Sequence, residues 1–151
     1  MTRTGVFVLA AIAATFPACG RKNAPVAPEL VRPETPEDLA AVATPEGVRL
    51  SWLRPTRYSG GGRMNDLEGF LVQRATGTGA VSAAYSQVGK LTLTDQNRFR
   101  KERRLEWVDT TATPGETYFY RVIALTLDGY RSIPAGPVSL AYGPPQGGSS
   151  P

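Results

Sequence analysis

Residues 115–132 read GETYFYRVIALTLDGYRS. Within them, Thr117–Thr126 has apolar residues on both of the faces that a period of two creates. A half-buried strand shows an apolar face and a polar face. A strand covered on both sides is apolar throughout. This segment is therefore the most buried strand of the chain, with turn residues at its limits, Gly115 before it and Gly129 after it.

Such a strand needs neighbours, and the sequence supplies them. Residues 47–53, GVRLSWL, put Val48, Leu50 and Trp52 on one face and Arg49 and Ser51 on the other. In EGFLVQRA, residues 68–75, Phe70 and Val72 share a face. In LEWVD, residues 105–109, Leu105 and Trp107 do. Residues 137–142, PVSLAY, alternate again. A first strand is expected over residues 38–44 and a weaker one over residues 85–91. Pro55, Pro114, Pro134 and Pro137, with Gly47, Gly69, Gly115, Gly129 and Gly136, punctuate the series, and no stretch shows the 3.6-residue period of an amphipathic helix. Seven short strands at this spacing predict an all-β sandwich or barrel.

The order of motifs resembles a fibronectin type III domain over residues 36–142. The matching pieces are Pro36 with Leu39, then VRLSW at 48–52 and Pro55, then GFLVQR at 69–74, and most of all residues 115–132. The resemblance implies a seven-stranded immunoglobulin-like sandwich. It implies that Tyr118 forms a corner, its hydroxyl bonded back to the backbone. Tyr120, Val122 and Ala124 would then face the core, and Trp52 would pack between two sheets. Phe70 and Trp107 complete the expected core. Two segments are longer than the family pattern: SGGGRMND at 59–66, and the charged stretch 92–104.

The first 18 residues carry one charge, Arg3, and a 12-residue uncharged run from Gly5 to Phe16. A membrane span needs about 20 apolar residues, whereas a secretory signal needs only a short run of this kind. Phe16 is too bulky for an A-x-A cleavage site. Ala18-Cys19 instead resembles a bacterial lipobox, with Phe16 where Leu is usual and Pro17 an uncommon neighbour. That resemblance implies removal of residues 1–18 and a covalent lipid on Cys19, the chain's single cysteine. Two or three acyl chains anchor stably where one does not. Gly20 stands where an Asp would favour inner-membrane retention, so the outer membrane is favoured over the inner. The CGRK start at 19–22 followed by one such domain resembles a group of short bacterial lipoproteins. Residues 19–35, with prolines at 25, 28 and 33, then read as an extended tether, and residues 143–151, GPPQGGSSP, as a flexible tail.

Chemistry is sparse. Histidine is absent and cysteine occurs once, so a disulfide framework, a Cys/His zinc site and a Cys–His nucleophile have no residues to use. Gly60-Gly61-Gly62 is followed by no GKS or GKT and reads as a flexible loop, and Val88-Gly89-Lys90 is no phosphate-binding loop, since Ala84 stands where a glycine is needed and Leu91 where the hydroxyl is required. Asp66 and Glu68 read as solvated turn residues. No catalytic residue, metal site or cofactor is expected beyond the lipid.

One segment is distinctive. NRFRKERR, residues 97–104, carries Arg98, Arg100, Lys101, Arg103 and Arg104 against Glu102 alone. Its net +4 exceeds the net +3 expected for residues 19–151, so the basicity is local. It reads either as a solvated, extended loop or as a patch for phosphorylated headgroups, an acidic glycan or a partner protein. The sequence thus predicts a non-enzymatic envelope lipoprotein that presents an interaction module at a membrane. Its partner would be an envelope protein or glycan, and nucleic acid is not expected.

Overall fold

In the computed structural model the described residues are 25–77 and 84–143. The expected signal segment, Cys19, the first part of the tether and nearly all of the tail lie outside them.

Seven strands form among the described residues: β1 Glu37–Thr44, β2 Gly47–Leu53, β3 Leu67–Thr76, β4 Ser86–Thr92, β5 Arg104–Asp109, β6 Thr117–Thr126 and β7 Ala135–Ala141. They build two antiparallel sheets, one in the order β1-β2-β5 and the other β4-β3-β6-β7. β6 lies between β3 and β7, as a strand apolar on both faces requires. Its inward residues Tyr120, Val122 and Ala124 are fully buried, while Ile123 and Leu125 join Leu71 in a second small apolar cluster.

The core lies between the sheets. Val48, Leu50 and Trp52 of β2 meet Phe70 and Val72 of β3, and all five are fully buried. Trp52 and Phe70 pack edge to face with ring centroids 5.4 Å apart, a geometry the ring quadrupoles favour. Tyr118 is buried, and its hydroxyl accepts from the Thr113 backbone N–H at 2.8 Å, which makes the expected corner. Trp107 departs from expectation: it is only half-buried and packs at the margin of the core. There it lies over β4, where a Cβ on Gly89 would fall 2.2 Å from its ring, so glycine is required for the strand to pass.

A polar link also crosses the core. Asp109 of β5 is 1% exposed, and its carboxylate accepts four hydrogen bonds. Oδ2 takes Arg74 Nη1 of β3 at 2.7 Å and Tyr120 Oη of β6 at 2.9 Å. Oδ1 takes Thr111 N at 3.0 Å and Thr111 Oγ1 at 2.6 Å. Burial pushes this carboxyl up, but the hydrogen bonds from Thr111, Tyr120 and Arg74 outweigh it and hold the group below the usual carboxylate range. The same burial, with Asp109 alongside, drives the Tyr120 hydroxyl well up. One carboxylate therefore ties two strands of one sheet to a strand of the other.

Two segments expected to be irregular are ordered. Residues 28–34, read as part of a free tether, dock on the domain. Pro28–Val31 forms a single helical turn, α1, and Pro33 is fully buried in a bridge to Tyr58. Proline composition favours extended chain, yet here Ser59 N donates to Arg32 O at 2.9 Å and Gly60 N to Leu30 O at 3.1 Å. Gly60-Gly61-Gly62, read as a flexible loop, is part of that dock. A Cβ on Gly60 would lie 2.8 Å from the Leu30 carbonyl oxygen, and Gly61 has φ +87°, a left-handed conformation that suits glycine.

Candidate functional site

Strand register gathers the long segments at one end of the sandwich. Glu37 of β1 faces Leu53 of β2, and Leu53 faces Arg104 of β5. Gly69 of β3 faces Thr92 of β4, and Leu67 faces Thr126 of β6. The docked N-terminal segment, the β2–β3 loop, the β4–β5 segment and the β6–β7 loop therefore all lie at this end. Both segments that exceed the family pattern are among them.

The basic segment is more structured than an extended loop. Thr94 caps a helical turn, α2 (Asp95–Arg98), by accepting from Asn97 N at 3.3 Å. Arg98 folds inward. Its Nε donates to Leu67 O at 2.8 Å and its Nη1 to Asp95 at 2.8 Å. Arg103 Nε donates to Arg54 O at 3.1 Å, and its guanidinium lies 3.6 Å from Glu37. Arg104 pairs with Asp38 at 3.5 Å. Three of the five cations thus hold the segment to the sandwich, and the reading of a solvated, extended loop does not stand for them. Arg100 and Lys101 remain. Both are exposed, and among the described residues neither has a carboxylate in ion-pair range. Phe99 stands beside them, 62% exposed. Beneath them the Arg54 guanidinium is buried and donates to Arg100 O. Burial and the nearby Arg103 charge make Arg54 easier to deprotonate than a free arginine, though it stays cationic at neutral pH.

A cleft of about 300 Å³ opens at this end, lined by Val26, Val31, Tyr58, Asp66, Asp128 and Tyr130. Tyr58 donates to Asp66 Oδ1 at 2.6 Å. Burial, then the Asp66 hydrogen bond and charge, then the Asp128 charge push the Tyr58 hydroxyl up to about 12. Asp66 was expected to be a solvated turn residue; the structure places it in a cleft wall. Glu68 pairs with Lys90 instead. Beside the cleft the β6–β7 loop exposes Leu127, Tyr130 and Ile133. Sequence reasoning missed this cleft because its residues come from three separate segments. The available signal was the spacing of three large apolar residues, Leu127, Tyr130 and Ile133, in a polar turn.

Among the described residues no group of three or more His, Cys, Asp or Glu side chains could hold a metal ion, and no helix is long and apolar enough to cross a membrane. The core residues Trp52, Phe70, Tyr118, Tyr120 and Val122 form packing rather than a site. Cys19 lies outside the described residues.

No protein-family model and no curated protein matches the chain. Solved structures do. A twitchin kinase region from C. elegans is similar at 20% identity with a TM-score of 0.52, over 75% of this chain and 17% of that one. That chain carries a fibronectin and an immunoglobulin module beside its kinase, and the likeness does not extend to the kinase. The fourth fibronectin type III domain of a human protein is similar at 16% identity with a TM-score of 0.51, over 80% of this chain and 87% of that one. At these identities the likeness establishes architecture and nothing finer. The sheet orders, the tyrosine corner and these neighbours together give the chain a fibronectin type III fold.

Proposed function

We propose that the chain is a lipid-anchored protein of the bacterial cell envelope whose fibronectin type III domain is a non-enzymatic interaction module. The outer membrane is favoured by Gly20. The observation that carries the reading is the loop end, which concentrates exposed apolar groups, unpaired cations and an acidic cleft on a rigid two-sheet support. Binding residues sit preferentially on loops held by such supports. The Ala18-Cys19 pair supports the anchor. From Cys19 to Pro25 the chain extends at most about 20 Å, so an anchor there keeps this end near the bilayer.

A second reading follows from Arg100, Lys101 and Phe99. Exposed and without carboxylate partners, they suit an anionic headgroup or acidic glycan, and juxtamembrane cations gain about 1 kcal/mol each near such a surface.

The anchor is tested with Cys19→Ser, which removes the acyl acceptor. Fractionation of cells should show loss of the mature membrane-bound form. Mature-size protein that still floats with membranes would overturn the anchor.

A further inference from the structure

The cleft at the loop end has an imbalance of charge. Asp66 and Asp128 both bear on the Tyr58 hydroxyl, and among the described residues no cation lies in ion-pair range of either. The five ion pairs among the described residues use Asp109, Glu68, Asp95, Glu37 and Asp38, but neither of these two. Asp66 uses one carboxylate oxygen for Tyr58, which leaves the other to accept.

The walls are held in place. Leu127 N donates to Asp66 O at 2.9 Å, joining the β6–β7 loop to the β2–β3 loop. Tyr130 N donates to Thr126 Oγ1 at 3.0 Å, and Thr126 N to Tyr130 O at 3.0 Å, which closes the β6–β7 loop on itself. The docked turn α1 supplies Val31, and Pro33 is bridged to Tyr58. A cleft preformed in this way loses little freedom when it is filled.

The lining is of two kinds. Two tyrosine rings and two valines suit a flat or apolar body, and two carboxylates suit a cation. A guanidinium has both properties: it stacks on aromatic faces and donates to carboxylates in a planar fork. Leu127 and Ile133, each more than half exposed, lie in the same β6–β7 loop as the cleft residues Asp128 and Tyr130 and offer apolar contacts for whatever flanks that cation. We propose that this cleft binds an arginine side chain of a partner protein, flanked in that partner by apolar residues. The proposal rests on the interaction-module reading and names the chemistry of the partner.

The test uses the full chain in detergent and Nα-acetyl-arginine amide as the probe, followed by NMR shifts of the Tyr58 and Tyr130 ring protons. The matched control is the citrulline analogue, which keeps the planar shape but lacks the charge and carries an acceptor oxygen where arginine has a donor nitrogen. Saturable shifts are expected with arginine at a Kd on the order of a millimolar for so small a ligand. Citrulline should bind at least about tenfold more weakly, and Asp66→Asn with Asp128→Asn should weaken arginine by a similar factor. Asp128→Asn alone, in an exposed loop residue, keeps the test valid if the double variant unfolds, and should still weaken arginine several-fold. Equal shifts with arginine and citrulline, or shifts unmoved by these variants, would overturn the proposal. So would arginine binding that appears only in Arg21→Gln/Lys22→Gln, which would make the chain's own basic pair the occupant. Self-association that moves the same tyrosines without probe would overturn it in favour of a second copy. A cellular partner that crosslinks to the loop end but ignores Asp66→Asn/Asp128→Asn leaves the module reading intact and removes the cleft from it.

Discussion

Replacing Asp109 with Asn keeps the shape of the side chain and removes its charge. The native carboxylate accepts four hydrogen bonds in a site 1% exposed. An amide offers one oxygen, and its NH2 group turns a donor toward donors on one side or the other. Either Thr111 or the pair of Arg74 and Tyr120 then loses its acceptor. An orphaned buried donor costs about 1–3 kcal/mol, and breaking a buried ion pair about 3–5 kcal/mol. The Arg74 side chain is 20% exposed, so water recovers part of its loss. The lower end applies, and about 3 kcal/mol is expected, a large part of the 5–15 kcal/mol that holds a typical domain. The effect has a pH signature. Asp109 titrates below its ordinary value when folded. Its stabilisation is thus present above the unfolded value near 3.9 and lost as pH falls through the lower folded value. Urea unfolding of unacylated protein, followed by tryptophan fluorescence, should show a gap of about 3 kcal/mol between wild type and Asp109→Asn at pH 7. That gap should begin to shrink below about pH 4 and close only as pH falls through the lower folded value. A gap under about 1 kcal/mol at pH 7, or one that persists unchanged in acid, would refute the reasoning.

Trp52→Ala should cost about 3–5 kcal/mol, the range for emptying a large aromatic from a core. Trp52→Phe should cost much less, because the buried indole N–H has no hydrogen-bond partner among the described residues. Tyr118→Phe removes the corner bond to Thr113 and should cost about 1–2 kcal/mol in the same unfolding assay. For the basic segment, Arg100→Gln/Lys101→Gln should abolish retention on anionic vesicles at low salt while leaving Tm within a few degrees. Retention that survives the change, or that ignores salt, would return these residues to a solvated role.

The strands were legible because period-two alternation and turn residues are local signals. Val48, Leu50 and Trp52 announce a buried face from within seven residues, and Tyr118 announces the corner from its place at the start of the strand that is apolar on both faces. The Asp109 link was half legible. Alternation in LEWVD puts Asp109 on the inward face with Leu105 and Trp107, and an inward carboxylate requires a donor. Its partners Arg74 and Tyr120 lie 35 and 11 residues away, so their identity depended on the register of three strands. The basic segment was legible as charge but not as geometry. Arg98, Arg103 and Arg104 are held by Asp95, Glu37 and Asp38, and two of those acids belong to β1. The docking of residues 28–34 was hidden because proline composition reports local stiffness, whereas the burial of Pro33 depends on Tyr58, 25 positions later. The cleft was illegible for the same reason, since Tyr58, Asp66 and Asp128 meet only when two loops and the N-terminal segment converge.

The central claim is that the loop end is the contact face of an anchored module. A photoreactive amino acid placed at Leu127 or Ile133 in intact cells tests it, with Val42 on β1 as an exposed control away from the loops. Irradiation should give one discrete crosslinked species from positions 127 and 133 and none from 42. Absence of any crosslink from the loop end, or the same pattern from Val42, would contradict the account.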